Sequence, residues 1–289
     1  YDGGQRVMLD DPLHPDSASC QLAYLSFSER GDGGAGTAVA RGRLGDGALE
    51  DVEVIWSQQP KLGTGQHFGS RLVFLRDGTL IVTLGDRNTR QYIADPKAQI
   101  GKLVRINRDG SIPQDNPFAG DKAYSPDIYS LGHRNVQGAT LHPETGQLWT
   151  VEHGARGGDE INIPEPGRNY GWPVISYGRE YAGGKIGEGT KKPGLEQPAY
   201  YWDPSIAPSG MTFYTGDKFP AWKGNLFVGA LKFQLLARLE VDGNRIVKEE
   251  RLLEDMGDRI RDVRQGPDGY LYLLTDEDDG RILRLEPAG

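Results

Sequence analysis

The sequence predicts an all-β protein, a β-propeller made of four-stranded antiparallel blades. The first observation is a hairpin pattern that recurs five times, in which two apolar strands flank a tight turn rich in Pro, Asp or Gly. The second is that no segment of about 10 to 15 residues shows a strong helical period, which argues against βαβ units. The third is a polar, turn-rich composition, with 41 Gly, 18 Pro and a mean hydropathy of −0.56, which fits short strands joined by long loops.

Each predicted hairpin follows from the turn residues that separate two apolar runs. In chain order the five hairpins span Arg6–Ser28, Arg71–Leu84, Ala139–Glu152, Met211–Ala230 and Asp262–Thr275. Further alternating runs extend most of them into meanders, at Lys102–Asn107, Leu235–Val241 and Arg281–Leu285. Meanders repeated at spacings of roughly 45 to 80 residues indicate a radial repeat, and so a single propeller domain over residues 1–289. Two long insertions, Asp86–Gln99 and Tyr177–Gln197, are expected to cover the mouth of its channel.

Charge and cysteine content exclude several classes of protein. The formal net charge is −8, whereas a general nucleic-acid partner would require a basic stripe on the protein. The single cysteine, Cys20, allows neither an intrachain disulfide nor a thiolate metal cluster. No apolar stretch approaches the length of a membrane span, and no signal peptide is visible. Because the chain opens at Tyr1 without a methionine, we expect a processed or trimmed form.

Two polar residues beside predicted strands are candidates for proton transfer. His67 stands in GQHFGSRLVF, immediately before a strand, where a neutral imidazole suits a general base near neutral pH. Asp86 stands in LGDRN at the end of the next strand. The alternatives are a packing histidine and an ordinary turn aspartate, and the residues alone leave them open.

Four cationic residues lie at the ends of apolar runs in three separate repeats: Arg134, Lys232, Arg259 and Arg261. In a propeller the equivalent ends of inner strands converge on one channel mouth, so four cations there would require an anionic ligand. Arg259 and Arg261 alternate along one predicted strand and therefore share a face, with Ile260 on the other. Taken singly, each of the four cations is more often a solvated or ion-paired surface residue.

The segment from Gly132 to Pro173 carries the densest set of polar, turn-forming residues. It contains GHRNVQG, LWTVEHG and ARGGDEINIPEPGRNYGWP, and strand connections of this kind usually build a site. This segment resembles the glucose/sorbosone dehydrogenase family, and within it the soluble aldose sugar dehydrogenases that use pyrroloquinoline quinone (PQQ). The resemblance runs from Tyr1 to the end of the chain. It implies a six-bladed propeller, of which this chain is expected to lack about one N-terminal blade.

The resemblance also implies roles for the candidate residues. His67 would take the proton from the anomeric hydroxyl of an aldose while hydride passes to PQQ. Asp86 would lie near the sugar, where it could orient either the substrate hydroxyl or the histidine. The carboxylates of PQQ would meet the four cations, with further cofactor contacts from Asn135 and Gln137.

The loop HGARGGDE is the predicted metal region, because calcium binds many oxygen ligands, often carbonyls of Gly-rich loops together with carboxylates. The resemblance implies that the carbonyls of Gly154 and Ala155 hold a calcium that bridges to PQQ. It also implies a second, structural calcium at Asp159 and Glu160, with Tyr170 nearby. The alternative is a Gly-rich turn capped by acidic residues.

Two aromatic residues in PAYYWDPSIAPSGM complete the set of candidates. The resemblance implies that Tyr200 and Trp202 stack on the cofactor or line the sugar pocket, since aromatic faces suit both a flat quinone and a pyranose. A core or blade-edge aromatic cluster is the alternative.

The leading hypothesis is a PQQ- and calcium-dependent aldose dehydrogenase, periplasmic or secreted. It would oxidise the anomeric carbon of a small-molecule sugar to the lactone and pass electrons to an external acceptor such as a quinone, a cytochrome or a dye. The alternatives are a calcium-dependent lactonase and a non-catalytic propeller that binds carbohydrate or protein. Basic residues at the strand ends argue against the lactonase, which needs carboxylates around a central metal.

Overall fold

The computed structural model describes residues 8–10, 12 and 21–287. In these residues the secondary structure consists of strands and two single-turn 3-10 helices, η1 (Arg90–Tyr92) and η2 (Pro220–Trp222), with no α-helix. Across the same ranges, no helix is long and apolar enough to cross a membrane. The chain divides into two compact units. The first comprises Tyr1–Val136, Glu165–Pro173 and Gly194–Glu196, and the second comprises Gln137–Pro164, Val174–Pro193 and Gln197–Gly289.

The first unit contains two four-stranded antiparallel meanders. The strands of the first sheet are, in order, β1 (Met8–Asp10), β2 (Leu22–Gly31), β3 (Gly34–Leu44) and β4 (Leu49–Ser57). Those of the second are β5 (Gly69–Phe74), β6 (Leu80–Leu84), β7 (Leu103–Ile106) and β8 (Ile128–Ser130). The sheets meet where β1 and β2 contact β5, over a core that includes Tyr24, Val39, Leu72, Leu80 and Val104.

The second unit contains three antiparallel meanders, two of four strands and one of three in the described residues. The first consists of β9 (Val136–Leu141), β10 (Leu148–Glu152), β11 (Asp159–Asn162) and β12 (Tyr200–Trp202). Val136, the first residue of β9, is assigned to the first unit. The next consists of β13 (Pro208–Phe213), β14 (Leu226–Ala230), β15 (Leu235–Asp242) and β16 (Arg245–Leu252). The last has three strands in the described residues, β17 (Ile260–Gln265), β18 (Leu271–Thr275) and β19 (Ile282–Leu285). Neighbouring sheets meet where β13 contacts β10 on one side and β17 on the other.

Four predicted hairpins are confirmed, as β5–β6, β9–β10, β13–β14 and β17–β18. For the first, Arg6–Ser28, β1 pairs with β2, while its opening residues and its turn lie outside the described residues. The three predicted extensions are β7, β15 and β19. The second strand of three hairpins is buried along its whole length, since β6, β10 and β14 have no exposed residue. Burial on both faces requires a nearly unbroken apolar run, and such runs are the signal that the sequence pattern detects.

The sequence pattern did not predict the outer strands. β4 and β16 are largely exposed, and β8 and β12 have three residues each, so none of them carries a readable apolar period. The described residues form five sheets, one for each predicted hairpin, and a sixth sheet of the kind that a six-bladed propeller requires is not among them. A single domain over residues 1–289 stays a prediction.

A glycine in the turn after β7 leads to a prediction about stability. Gly110 has a φ of +83°, and a Cβ atom there would lie 2.0 Å from the carbonyl oxygen of Ile55. Gly110→Ala should therefore lower the free energy of unfolding by about 1–3 kcal/mol, the cost typical of a strained left-handed residue. Gly120→Ala is the matched control, because a Cβ atom at Gly120 would meet no heavy atom within 4 Å. Urea denaturation measures the free energy of unfolding of both variants. An equal loss of that free energy in Gly110→Ala and Gly120→Ala would contradict the prediction.

Candidate functional site

The imidazole of His67 is held by a buried carboxylate. His67 lies between β4 and β5 with a left-handed backbone (φ +51°), and its Nδ1 lies 2.6 Å from Oδ1 of Asp86. Asp86 follows β6 and is 1% exposed. An ionised carboxylate only accepts hydrogen bonds, so Nδ1 carries the proton and Nε2 is the basic nitrogen of the neutral ring.

The Asp86 carboxylate accepts two further hydrogen bonds. Oδ1 accepts the backbone N–H of Asn88 at 2.7 Å, and Oδ2 accepts the indole N–H of Trp172 at 2.9 Å. Burial by itself raises the pKa of this carboxyl, but the hydrogen bond from His67, the charge that the imidazole carries once it is protonated in acid, and the charge of Arg134 hold the pKa below its usual value. Asp86 is therefore an anion at neutral pH. Of the two roles predicted for it, these contacts favour orienting the histidine.

Trp172 was not among the predicted site residues. Its ring centroid lies 4.7 Å from the guanidinium carbon of Arg90 and 5.2 Å from that of Arg134, distances typical of cation–π contacts. The motif NYGWP offered a weak signal, because it places an aromatic residue directly after a Gly-rich loop. Trp172 has no titratable group, however, and its partner Asp86 lies 86 residues away in the chain. Only the folded protein reveals this hydrogen bond.

Arg134 and Asn135, predicted as cofactor ligands, lie beside the predicted catalytic pair. Arg134 is buried, and its carbonyl accepts the backbone N–H of Asp86 at 2.6 Å. The side-chain Oδ1 of Asn135 accepts the backbone N–H of Gly69 at 3.3 Å. The fold thus brings two predicted ligand residues and the predicted catalytic pair into one cluster of loops. Gln137 is half-buried on β9 and belongs to the second unit.

Tyr170, predicted near a structural calcium, is packed inside the first unit. Its ring stacks on that of His133 at a centroid distance of 5.0 Å, and its hydroxyl oxygen accepts the backbone N–H of Glu165 at 3.0 Å. Burial raises the pKa of this phenol, so the side chain is neutral. Its predicted neighbours Asp159 and Glu160 belong to the second unit, and a place for Tyr170 in a calcium site stays a prediction.

The loop at Gly154 is surrounded by its own carbonyl oxygens. A Cβ atom at Gly154 would lie 2.2 Å from the oxygen of Gly157 and 2.3 Å from that of Gly158, so only glycine fits at this position. Ala155 is buried and forms an isolated bridge with Gly157. Carbonyl oxygens gathered in a tight loop are ligands that calcium prefers.

Asp159 is engaged in hydrogen bonds within the second unit. Its Oδ1 accepts the backbone N–H of Gly154 at 2.8 Å and the hydroxyl of Ser205 at 2.9 Å, and its Oδ2 accepts the backbone N–H of Ala207 at 2.9 Å. These donors occupy both carboxylate oxygens. The contacts therefore favour a role for Asp159 as an anchor of the loop over the predicted role as a calcium ligand. The physical reason is that an aspartate beside a Gly-rich turn readily accepts hydrogen bonds from nearby backbone N–H groups.

Glu160 faces a second carboxylate across the β10–β11 pair. The register places it opposite Glu152, and Thr150 opposite Asn162, all on one face of the sheet; we term these four residues the oxygen cluster. The amide nitrogen of Asn162 donates to Glu152 at 2.8 Å, whereas Asn162 Oδ1 and Thr150 Oγ1 are buried and have no hydrogen-bond partner among the described residues. Burial and then repulsion from Glu152 raise the pKa of Glu160. In the described ranges no three His, Cys, Asp or Glu side chains form a metal site, so a cation here would also need amide or hydroxyl oxygens.

Arg259 and Arg261 share one carboxylate, that of Asp276. Arg259 donates through Nε and Nη2 at 3.0 and 2.9 Å, and Arg261 donates through the same two nitrogens at 3.1 and 2.8 Å. Arg259 lies just before β17, so a shared face on one strand stays a prediction, although both arginines reach the same carboxylate. Two guanidinium groups and one carboxylate leave this group with a net positive charge. Lys232 is exposed, with its ammonium 5.0 Å from the ring centroid of Phe233.

Tyr200 and Trp202 have packing contacts with a neighbouring sheet. Both lie on β12, the edge strand of its sheet, and both donate to Oε2 of Glu249 on β16, at 2.7 and 3.1 Å. Trp202 is buried in the core of the second unit, and Tyr200 packs against that core. These contacts favour the aromatic-cluster alternative over the predicted stacking on a cofactor, because the core holds the rings and Glu249 holds their polar ends.

Comparisons with known proteins agree on one family. A family model described as Glucose / Sorbosone dehydrogenase matches residues 1–284. The curated Aldose sugar dehydrogenase YliI of Escherichia coli (strain K12) is 49% identical over 98% of this chain and 78% of its own length. The crystal structure of the soluble aldose sugar dehydrogenase from Escherichia coli in the apo-form has a TM-score of 0.97 at 48% identity, covering 100% of this chain and 84% of that one. The PQQ-bound form of an aldose sugar dehydrogenase from Streptomyces coelicolor has a TM-score of 0.79 at 27% identity, covering 99% and 81%.

The lowered pKa of Asp86 predicts an acid-dependent contribution to stability. A carboxyl whose pKa is lowered in the folded state stabilises the fold above its unfolded pKa of about 3.9, and that contribution is lost as the pH falls through the folded value. Asp86→Asn should therefore cost roughly 1.5–3 kcal/mol of unfolding free energy at neutral pH, the range for hydrogen bonds to a charged group. The difference from wild type should shrink in acid below the unfolded pKa. Chemical denaturation at neutral pH and in acid below the unfolded pKa measures the unfolding free energy of the variant and of wild type. Asp46 is exposed, so Asp46→Asn is a control whose unfolding free energy should change little. An equal loss for Asp86→Asn at neutral and acid pH would contradict the prediction.

Proposed function

Because this chain belongs to the Glucose / Sorbosone dehydrogenase family, we propose that it is a PQQ-dependent aldose dehydrogenase. The reaction is oxidation of the anomeric hydroxyl of an aldose to the lactone, by removal of a proton and a hydride. The hydrogen bond between His67 and Asp86 carries the proposal, since it provides a basic nitrogen oriented by a fixed anion. The PQQ bound to the Streptomyces relative supports the choice of cofactor.

His67 is the proposed general base. Its Nε2 would accept the proton of the anomeric hydroxyl, which turns the ring into a cation. The Asp86 carboxylate, 2.6 Å from Nδ1, stabilises that cation, and the indole N–H of Trp172 holds the carboxylate in its orientation. Because Asp86 is buried, the attraction is weakly screened by solvent. When bound, PQQ supplies the acceptor for the hydride.

The residues proposed to bind PQQ match its charge. PQQ is a tricarboxylate, and the group formed by Arg259, Arg261 and Asp276 has a net positive charge. Both arginines bind Asp276 through Nε and Nη2, so that, as far as the described residues go, the N–H donors on Nη1 are available to a ligand carboxylate. The other proposed contacts are Arg134, Asn135, Gln137 and Lys232. Tyr200 and Trp202 have the least support, because Glu249 already binds their polar ends.

Calcium is proposed at two places in the second unit. The carbonyl oxygens of Gly154 and Ala155 would hold one ion, which would act as a Lewis acid. Support for this ion comes from the family membership, because the carbonyl oxygens that crowd Gly154 are those of Gly157 and Gly158. The oxygen cluster would hold a second ion, since a cation would relieve the repulsion between Glu152 and Glu160 and would give Asn162 Oδ1 a partner.

The family membership also supports proposals about the architecture of the protein and its location in the cell. The five sheets would be blades of a propeller of the six-bladed type, which is supported by their antiparallel meander topology. The protein would be periplasmic or secreted. Electrons would leave to an acceptor outside the chain, such as a quinone, a cytochrome or a dye.

Reduction of an artificial electron-accepting dye tests the proposed activity. Purified protein is mixed with PQQ, calcium and glucose or another aldose, and dye reduction should require all three additions. Magnesium in place of calcium is the control, because the smaller ion demands octahedral geometry and releases its water reluctantly. Lactone hydrolysis with calcium alone would favour a lactonase, and sugar binding without dye reduction would favour a non-catalytic propeller. A protein that does not bind PQQ would contradict the cofactor proposal.

Replacement of the proposed base separates chemistry from cofactor binding. His67→Ala should lower kcat by about 10²–10⁴-fold, the usual contribution of a general base, while PQQ binding is retained. His142→Ala is the control, because this histidine lies in the β9–β10 turn, where it accepts hydrogen bonds from Glu144 and Thr145. Steady-state kinetics and a PQQ titration provide the two readouts. Near-normal turnover in His67→Ala would show that another group takes the proton.

A further inference from the structure

Arg87, the residue directly after Asp86, is buried and binds three backbone carbonyls. Its side chain is fully shielded from solvent. Nε donates to the carbonyl of Gln66 at 2.8 Å, Nη1 to that of Ala35 at 2.7 Å, and Nη2 to that of Thr64. The guanidinium carbon lies 3.5 Å from the ring centroid of Phe68, which is stacking contact. One side chain therefore holds residues on both sides of position 67.

The backbone of Arg87 completes this attachment. Its N–H donates to the carbonyl of His67 at 3.3 Å, and its own carbonyl accepts the hydroxyl of Thr64 at 2.7 Å. Arg87 and His67 both have a left-handed φ of +51°. Non-glycine residues adopt this conformation only where surrounding contacts enforce it. The contacts of Arg87 with the residues around His67 are contacts of that kind.

We propose that Arg87 is a positioning residue for His67. Asp86 fixes the imidazole ring through Nδ1, while Arg87 fixes the backbone that carries the ring. Consecutive residues on one loop thus set both the orientation and the position of the proposed base. The expected effect of Arg87 on turnover rests on the proposed function, whereas its effect on the position of the His67 imidazole does not.

The chemistry of the site requires arginine rather than another cation. A planar guanidinium has five N–H donors in a fixed geometry and can bind separate carbonyls while its face lies on an aromatic ring. A lysine ammonium is a compact charge on a flexible chain and cannot reproduce this arrangement. In Arg87→Lys the charge is kept, but the links to Gln66 and Ala35 and the stacking on Phe68 should be lost.

Three variants test the proposal: Arg87→Lys, Arg87→Met and Thr64→Val. Thr64→Val removes only the hydroxyl bond to the Arg87 carbonyl, and it keeps the test available if Arg87→Met fails to fold. Arg105→Met is the matched control, because Arg105 is also buried in the first unit but binds Thr79, Asp77 and Asp115. It controls for the loss of stability that follows removal of any buried arginine.

The first readout is the proton NMR resonance of the His67 Nδ1–H in protein without cofactor. A short hydrogen bond to a buried carboxylate gives a slowly exchanging, strongly downfield signal. If Arg87 only stabilised the fold, replacing it would leave this signal where it is. We expect the signal to be lost or shifted in both Arg87 variants and kept in Arg105→Met. A signal unchanged in the Arg87 variants would overturn the proposal.

The second readout is steady-state dye reduction well below the melting temperature of each variant. In the Arg87 variants kcat should fall by about 10²-fold, as expected when a catalytic group is misplaced by about 1 Å. KM should change little. Thr64→Val should lose less. Equal kcat values in Arg87→Lys and Arg105→Met would overturn the proposal. Loss of the NMR signal in the Arg87 variants, together with no dye reduction by the wild type, would support Arg87 as the positioning residue and contradict the proposed function.

Discussion

The buried carboxylate of Asp86 is the group on which the geometry of the candidate site depends. It receives the imidazole of His67, the backbone N–H of Asn88 and the indole of Trp172, which come from separate parts of the chain. A buried anion is costly unless its hydrogen-bonding capacity is used. The need to satisfy one charge therefore determines where these groups lie, and the proposed base is oriented as a consequence.

Carboxylates also organise the second unit. Asp276 holds two guanidinium groups, Asp159 ties the loop at Gly154 to the residues near Ala207, and Glu249 binds two aromatic side chains on a neighbouring sheet. Each of these carboxylates accepts hydrogen bonds from donors at least 15 residues away, and Asp159 also accepts one from Gly154, 5 residues away. The oxygen cluster differs, because it gathers carboxylates together with buried acceptors that lack donors within the described part of the chain. That imbalance is the reason for proposing a cation there.

The hairpins could be predicted because their inner strands are buried on both faces. Continuous apolar runs such as LIVTL in β6 and LFVGA in β14 are visible without any knowledge of their neighbours. The outer strands β4 and β16 could not be predicted in the same way, because exposure removes the apolar signal. Among the site residues, His67 and Asp86 were predicted and lie in contact. Trp172 and Arg87 were not, because an indole and an arginine in a loop have many ordinary roles.

The sequence by itself determined the all-β class, the positions of four hairpins and the family to which the chain belongs. These properties depend on local periodicity and on short motifs, which are present before folding. Tertiary structure decided which groups meet: that Asp86 binds His67 and Trp172, that Arg87 binds the carbonyl of Gln66 and stacks on the ring of Phe68 on either side of His67, and that Glu249 binds Tyr200 and Trp202. The physical reason is that a hydrogen bond depends on distance and direction in space. Partners up to 86 residues apart along the chain acquire both only when the sheets have packed.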